Sequence, residues 1–275
     1  MYQCTLTHSK TKLFGTSALV CLALAAPVMA DDFVITGSDN STNGTGTTNG
    51  GTAAAIADTA INGSDTVSLG IALTTTGTNE GIQTSGDGNA ITVTEAGSIT
   101  TGTGNEAHGI YNNGDGNTTT MSGSISTTGD IATGIFNNGN DNTTIMSGSI
   151  STAERWGVGV FNEGIGNTTT MSGSISTTGA KAYGIHNGDN NANNNSIYGD
   201  NNTTTVSGSI KTTGDDGDGI AIYSSSTTTT VSGSIVTTGA GAHGIYNDGD
   251  NNTTAISGTV KATGAKSAAL YNVYG

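Results

Sequence analysis

Cysteine and proline are almost missing from this chain. Both cysteines, Cys4 and Cys21, and the one proline, Pro27, lie within the first 30 residues. A disulfide-stapled scaffold is therefore excluded for everything downstream, as are thiolate metal sites and cysteine catalysis. Aromatic residues make up 5% of the chain and charged residues 10%, too few of either for an ordinary globule. Arginine and tryptophan occur once each, as Arg155 and Trp156. Basic residues number seven against 21 acidic ones, a net charge of −14. Such a chain repels phosphate backbones, so no nucleic-acid partner is expected. No apolar run reaches the roughly 20 residues that a membrane-spanning helix needs.

The N-terminus reads as a secretory signal peptide over 1–30. Lys10 and Lys12 form a basic start, residues 13–26 are largely apolar, and Val28-Met29-Ala30 is a small-x-small cleavage site. Val20 stands where a lipoprotein signal has a small residue before its cysteine, so lipid attachment at Cys21 is not expected. Cleavage removes two basic residues and no acidic ones, leaving a chain of net charge −16 without cysteine or proline. Residues 31–65 form a low-complexity leader or N-terminal cap.

Glycine, serine, threonine and asparagine are what the chain does contain, and they recur. The glycine of an "SGSI" motif falls at Gly97, Gly123, Gly148, Gly173, Gly208, Gly233 and Gly258. A "GI" motif gives Gly109, Gly134, Gly159, Gly184, Gly219 and Gly244. Both step by 25 residues, apart from a first "SGSI" step of 26 and one shared excess of ten in the fourth copy, an insertion near 189–200. Residues 66–275 thus hold about eight units of 25 residues.

Each unit is expected to hold two extended segments. In the first, Met121, Gly123, Ile125 and Thr127 share one face, and Thr120, Ser122, Ser124 and Ser126 the other. That is period-two alternation. Met121 recurs as Met171, and Ile125 as Ile175. In the second segment, Ile110 and Asn112 face inward, repeated as Ile185 and Asn187, with Tyr111 opposite. Only Ile222 breaks the asparagine row. Polar composition alone would suit disorder. Apolar residues that hold register through six copies, in a chain without proline after Pro27, argue for order. A single unit buries too little to offset the entropy of fixing its backbone. Stacked units satisfy one another's amides and align identical side chains as ladders. The expected fold is all-β, a right-handed parallel β-solenoid of about eight rungs, ~40 Å long at ~4.8 Å per rung.

Units such as "GIYNNGDGNTTTMSGSISTTG", behind a signal peptide, resemble the passenger repeats of Gram-negative autotransporters over roughly 66–275. The resemblance implies an exported β-helical passenger, often an adhesin, displayed at the cell surface by a C-terminal outer-membrane barrel. A barrel needs many alternating segments of about ten residues. None follows the repeats here, so a shortened reading frame or a passenger acting without its own barrel is expected.

Candidate chemistry is sparse. Most acids sit in turns, among them Asp115, Asp141, Asp189, Asp200, Asp248 and Asp250. The run from Asp248 starts like an EF-hand loop, but Thr253 stands in place of its glycine, and no metal or cofactor is expected. His108 and His243 share one repeat position several rungs apart, which suits a ladder and not a metal pair. Glu154, Arg155 and Trp156 replace the usual turn, and Ile197 and Tyr198 lie in the insertion. Where a repeat is broken, the turn is either surface decoration or the place of a protein or glycan contact. The leading expectation is a non-catalytic, secreted or surface-displayed structural or adhesive solenoid that meets a host or neighbouring cell through protein or glycan. The alternatives are a polysaccharide-active β-helix enzyme and an ice-binding hydroxyl array built on Thr120, Ser122 and Ser124.

Overall fold

A computed structural model describes residues 33–36, 56–58, 66–70, 72–188 and 200–273. The expected signal peptide at 1–30, most of the expected leader or cap at 31–65 and the insertion residues Ile197 and Tyr198 lie outside these. The described residues form an all-β solenoid of about eight turns, built from three sheets of nine, eight and nine strands.

Each turn carries three strands, one more than the sequence pattern suggests. The stretch from Thr118 to Thr127 divides into strands Thr118–Met121 and Ser124–Thr127, which belong to different sheets. Ser122 and Gly123 make the corner between them. Because the corner takes two residues, the period-two alternation passes through it unbroken. Met121 and Ile125 are both buried although they lie in different sheets. The third strand of the turn is Ile135–Asn137, in the third sheet.

Rungs pair in parallel and in register. Ile125 faces Ile150, Phe136 faces Phe161, and Met146 faces Met171. The 35-residue step across the insertion keeps that register, with Ile175 opposite Ile210 and Ile185 opposite Ile220. At the N-terminal rim the order differs. Phe33–Thr36 runs antiparallel to Thr66–Leu69, whereas Ile56–Asp58 pairs in parallel with Ile82–Thr84.

Two glycine columns explain both sequence motifs. A side chain at Gly148 would run into the carbonyl of Gly123 one rung away, and Gly173 stands in the same relation to Gly148. A side chain at Gly134 would meet Ile150 and the carbonyl of Gly159. The corners stack backbone on backbone, which only glycine permits.

The core is one file of aliphatic side chains flanked by polar ladders. Ile110, Met121, Ile125, Ile135 and their copies as far as Ile245 are fully buried, whereas Ile256 and Leu270 of the last rung are exposed. Beside them the Asn112 amide donates to Asn137 Oδ1 at 2.8 Å, Asn137 to Asn162 at 2.8 Å, and Asn162 to Asn187 at 2.8 Å. The second proton of each amide goes to a buried threonine of the first sheet: Asn112 to Thr119, Asn137 to Thr144, Asn162 to Thr169 and Asn187 to Thr204. A further ladder joins the turns. The Asn142 side chain accepts the N–H of Asn117, and that of Asn167 accepts the N–H of Asn142.

Candidate functional site

The turn that leads into the third sheet places its corner residue in left-handed backbone. Glu106, Ile131, Trp156 and Lys181 occupy that place in successive rungs with φ of 60°, 62°, 60° and 55°. Asparagine or glycine suits such a site, and a β-branched isoleucine is strained there. Ile131 carries a second penalty, since 44% of it is exposed.

Opposite this corner the outward face of the third sheet carries a file of rings. Phe136 and Phe161 stack with centroids 4.7 Å apart and planes 8° from parallel, and Phe161 stacks on His186 at 4.5 Å and 9°. Tyr111 continues the file at 5.1 Å from Phe136. In-register pairing puts one ring on each rung, so stacking follows from the repeat itself.

Between the corner and the file runs an open groove of about 660 Å³. Ile131 and Trp156 form one wall and the ring file the other, with Thr133 and Val158 between. Glu80 and Glu106 stand at one end, Tyr183 and His186 at the other. Burial pushes the Glu80 carboxyl above its ordinary range, and the neighbouring Glu106 charge adds to this, although a backbone hydrogen bond opposes both. His186 is buried, its protonation held down to about 3 by loss of solvent, and its Nε2 has no hydrogen-bond partner.

Of the turn residues that break the repeat, Glu154, Arg155 and Trp156, only Trp156 lines this groove. Glu154 and Arg155 are exposed. Trp156 is half-buried, packed beside Val158, Tyr183 and Phe161. The Lys181 ammonium lies 4.7 Å from the indole centroid and the Arg155 guanidinium 5.8 Å. Tyr111, read from sequence only as a ladder residue, also belongs to the groove. Ile131 went unread, because a lone isoleucine in a turn gives no signal until its φ is known.

The histidines and turn acids act within the solenoid. His108 Nδ1 accepts the N–H of Thr133 at 3.0 Å, and His243 Nδ1 that of Ala268 at 3.1 Å. Burial lowers the His108 pKa to about 4, which keeps it an acceptor. The carboxylates of Asp115, Asp200, Asp215 and Asp218 each accept a backbone N–H of the next rung. Burial raises the Asp218 pKa to about 7, against the pull of its bond from the His243 N–H. Among the described residues no three His, Cys, Asp or Glu side chains gather as a metal site.

The expected hydroxyl array takes another form. Thr120, Ser122 and Ser124 straddle the corner and share no flat face. The outward face of the first sheet instead carries Thr118 and Thr120 side by side, repeated as Thr168 and Thr170, Thr203 and Thr205, and Thr228 and Thr230, with Ile145 interrupting one row. In comparison with known proteins, the chain matches no family model, no curated protein and no solved structure.

Proposed function

We propose that the chain is a secreted or surface-displayed, non-catalytic structural and adhesive β-solenoid that meets other surfaces through its aromatic groove. The observation that carries this reading is the corner at Ile131 and Trp156. A chain with 5% aromatics places large apolar side chains in strained, partly exposed positions beside a file of rings. Strain and apolar exposure together are costly for folding and mark a contact site. The repeat resemblance to autotransporter passengers supports display outside a Gram-negative cell, with a host or neighbouring cell as partner. The groove's side chains suit holding a ligand: of its two histidines, His108 near the acids is taken up by the Thr133 N–H, and His186 lies at the far end. The test is retention of the labelled full chain on bacterial and epithelial cells. Saturable retention is expected, and its absence on every cell type would contradict the reading. Sugar released from polysaccharide by the purified chain would contradict the non-catalytic part.

The paired threonine columns favour a second reading, contact with an ordered lattice such as ice. Hydroxyls repeat at ~4.8 Å along the solenoid and ~6.7 Å across it. Thermal hysteresis of the purified chain tests this, and freezing at the equilibrium point would end it.

A further inference from the structure

The groove has two polar ends and a carbon-lined middle, and this division selects its occupant. We propose that it binds a short stretch of neutral glycan laid along the solenoid axis. The sugar C–H faces pack between Trp156 with Ile131 and the edges of Phe136 and Phe161, while hydroxyls pair with Glu106 at one end and His186 at the other. The inference rests on the adhesive reading and names the ligand class of that site.

Three observations carry it. The ring planes of Phe136 and Phe161 are stacked on each other, so they offer edges to the groove and not faces. A flat aromatic ligand gains little there, whereas the ridged C–H surface of a pyranose fits between edges and the indole. The polar atoms at the ends are the second. His186 lines the groove and its Nε2 is unpaired, a state a hydrocarbon ligand would leave unchanged and a hydroxyl would relieve. The third is charge. The Glu106 charge disfavours ionisation of Glu80, so at that end an acidic group is opposed where a neutral hydroxyl donor is welcome, while the Lys181 and Arg155 cations lie over the indole in the middle. An extended peptide fits less well. Its backbone needs partners at every residue, and the third sheet's own amides and carbonyls are taken up rung to rung.

Trp156 is the chain's one tryptophan, so its emission reports occupancy directly. The experiment titrates the full chain with neutral glucan, mannan and xylan hexasaccharides and with a uronic-acid hexasaccharide. Fluorescence follows the parent chain and calorimetry follows the variants. At least one neutral oligosaccharide should shift Trp156 emission saturably, and the uronic oligomer should bind at least tenfold more weakly. Trp156→Ala should weaken binding at least tenfold. His186→Phe, which keeps a ring in the file, should weaken it several-fold with the strand spectrum unchanged. No saturable binding of any neutral oligosaccharide would overturn the proposal, as would equal binding of the uronic oligomer. A response confined to apolar peptides would also overturn it. Cell retention that survives Trp156→Ala would sink the groove as the contact and leave adhesion standing. Glycan binding without cell retention would do the reverse.

Discussion

Rungs from Ile110 to Asn187 and the rung that begins at Ile220 solve the same packing problem differently. In the lower rungs each inward asparagine links its neighbour and a threonine of the first sheet. At Ile222 that amide is replaced by a hydrocarbon. The matching threonine, Thr229, is then buried with no hydrogen-bond partner, while Asn247 turns to Asn252 instead. The outer face changes on the same rung. Ala221 leaves a gap in the ring file, and Tyr223 fills it from two residues on, 5.2 Å from His186 and 5.4 Å from Tyr246. The ladder is therefore a set of pairwise couplings: a lost link harms its immediate partners, and the aliphatic file carries the stack past it.

The sharpest way to break the contrast is to remove a link from the regular part. Asn137→Ala strips partners from Asn112, Asn162 and Thr144 at once and should cost about 3–4 kcal/mol, read as a lower urea midpoint. A loss under about 1 kcal/mol would mean the ladder contributes little beyond packing. The threonines give a finer comparison. Thr144→Val deletes a bonded hydroxyl and should cost about 1–2 kcal/mol. Thr229→Val deletes a bare one and should be neutral or stabilising. Equal losses at both positions would remove the distinction drawn between the rungs.

Acid should test the ring file that bridges the two regions. Burial holds His186 and His108 below their ordinary pKa, to about 3 and about 4. A depressed histidine contributes stability that is present above about 6.5 and lost as pH falls toward the folded value. Melting temperature should therefore drop between pH 6.5 and 4. His186→Phe should flatten that limb. Asp218 works in the opposite direction: with its pKa raised from 3.8 to about 7, its contribution is full below about pH 3.8 and is lost as pH rises to about 7. Asp218→Asn should accordingly help most above pH 7, and a uniform effect across pH would contradict its burial as the cause. The smallest effect is expected at the groove corner. Ile131→Asn removes the left-handed strain of a β-branched residue and should stabilise by about 1 kcal/mol. A loss of stability there would show that Ile131 is held by packing.

Much of this was legible in the sequence, because register is a property of spacing. The 25-residue period gives the rungs, and the columns of Met121, Ile125, Ile110, Asn112 and Tyr111 lie where their alternation puts them. The third strand was hidden because a two-residue corner preserves parity, so Ser122 and Gly123 read as more strand. Thr119 was missed as a core residue because threonine is ordinarily at home in water. Its burial depends on an amide that arrives from the third sheet. The groove was half legible. Trp156 stood out as a break in the repeat, but its partners come from neighbouring rungs, and the backbone that turns Ile131 outward has no signature in a single residue.

One distance tests the stacked register most directly. Ser126 and Lys261 hold the same outward place in the second sheet five rungs apart. With Cys4 and Cys21 replaced by serine, spin labels on Ser126→Cys and Lys261→Cys should give one narrow distance distribution centred at about 24 Å plus the label arms. A broad distribution, or one centred far from that value, would contradict the solenoid.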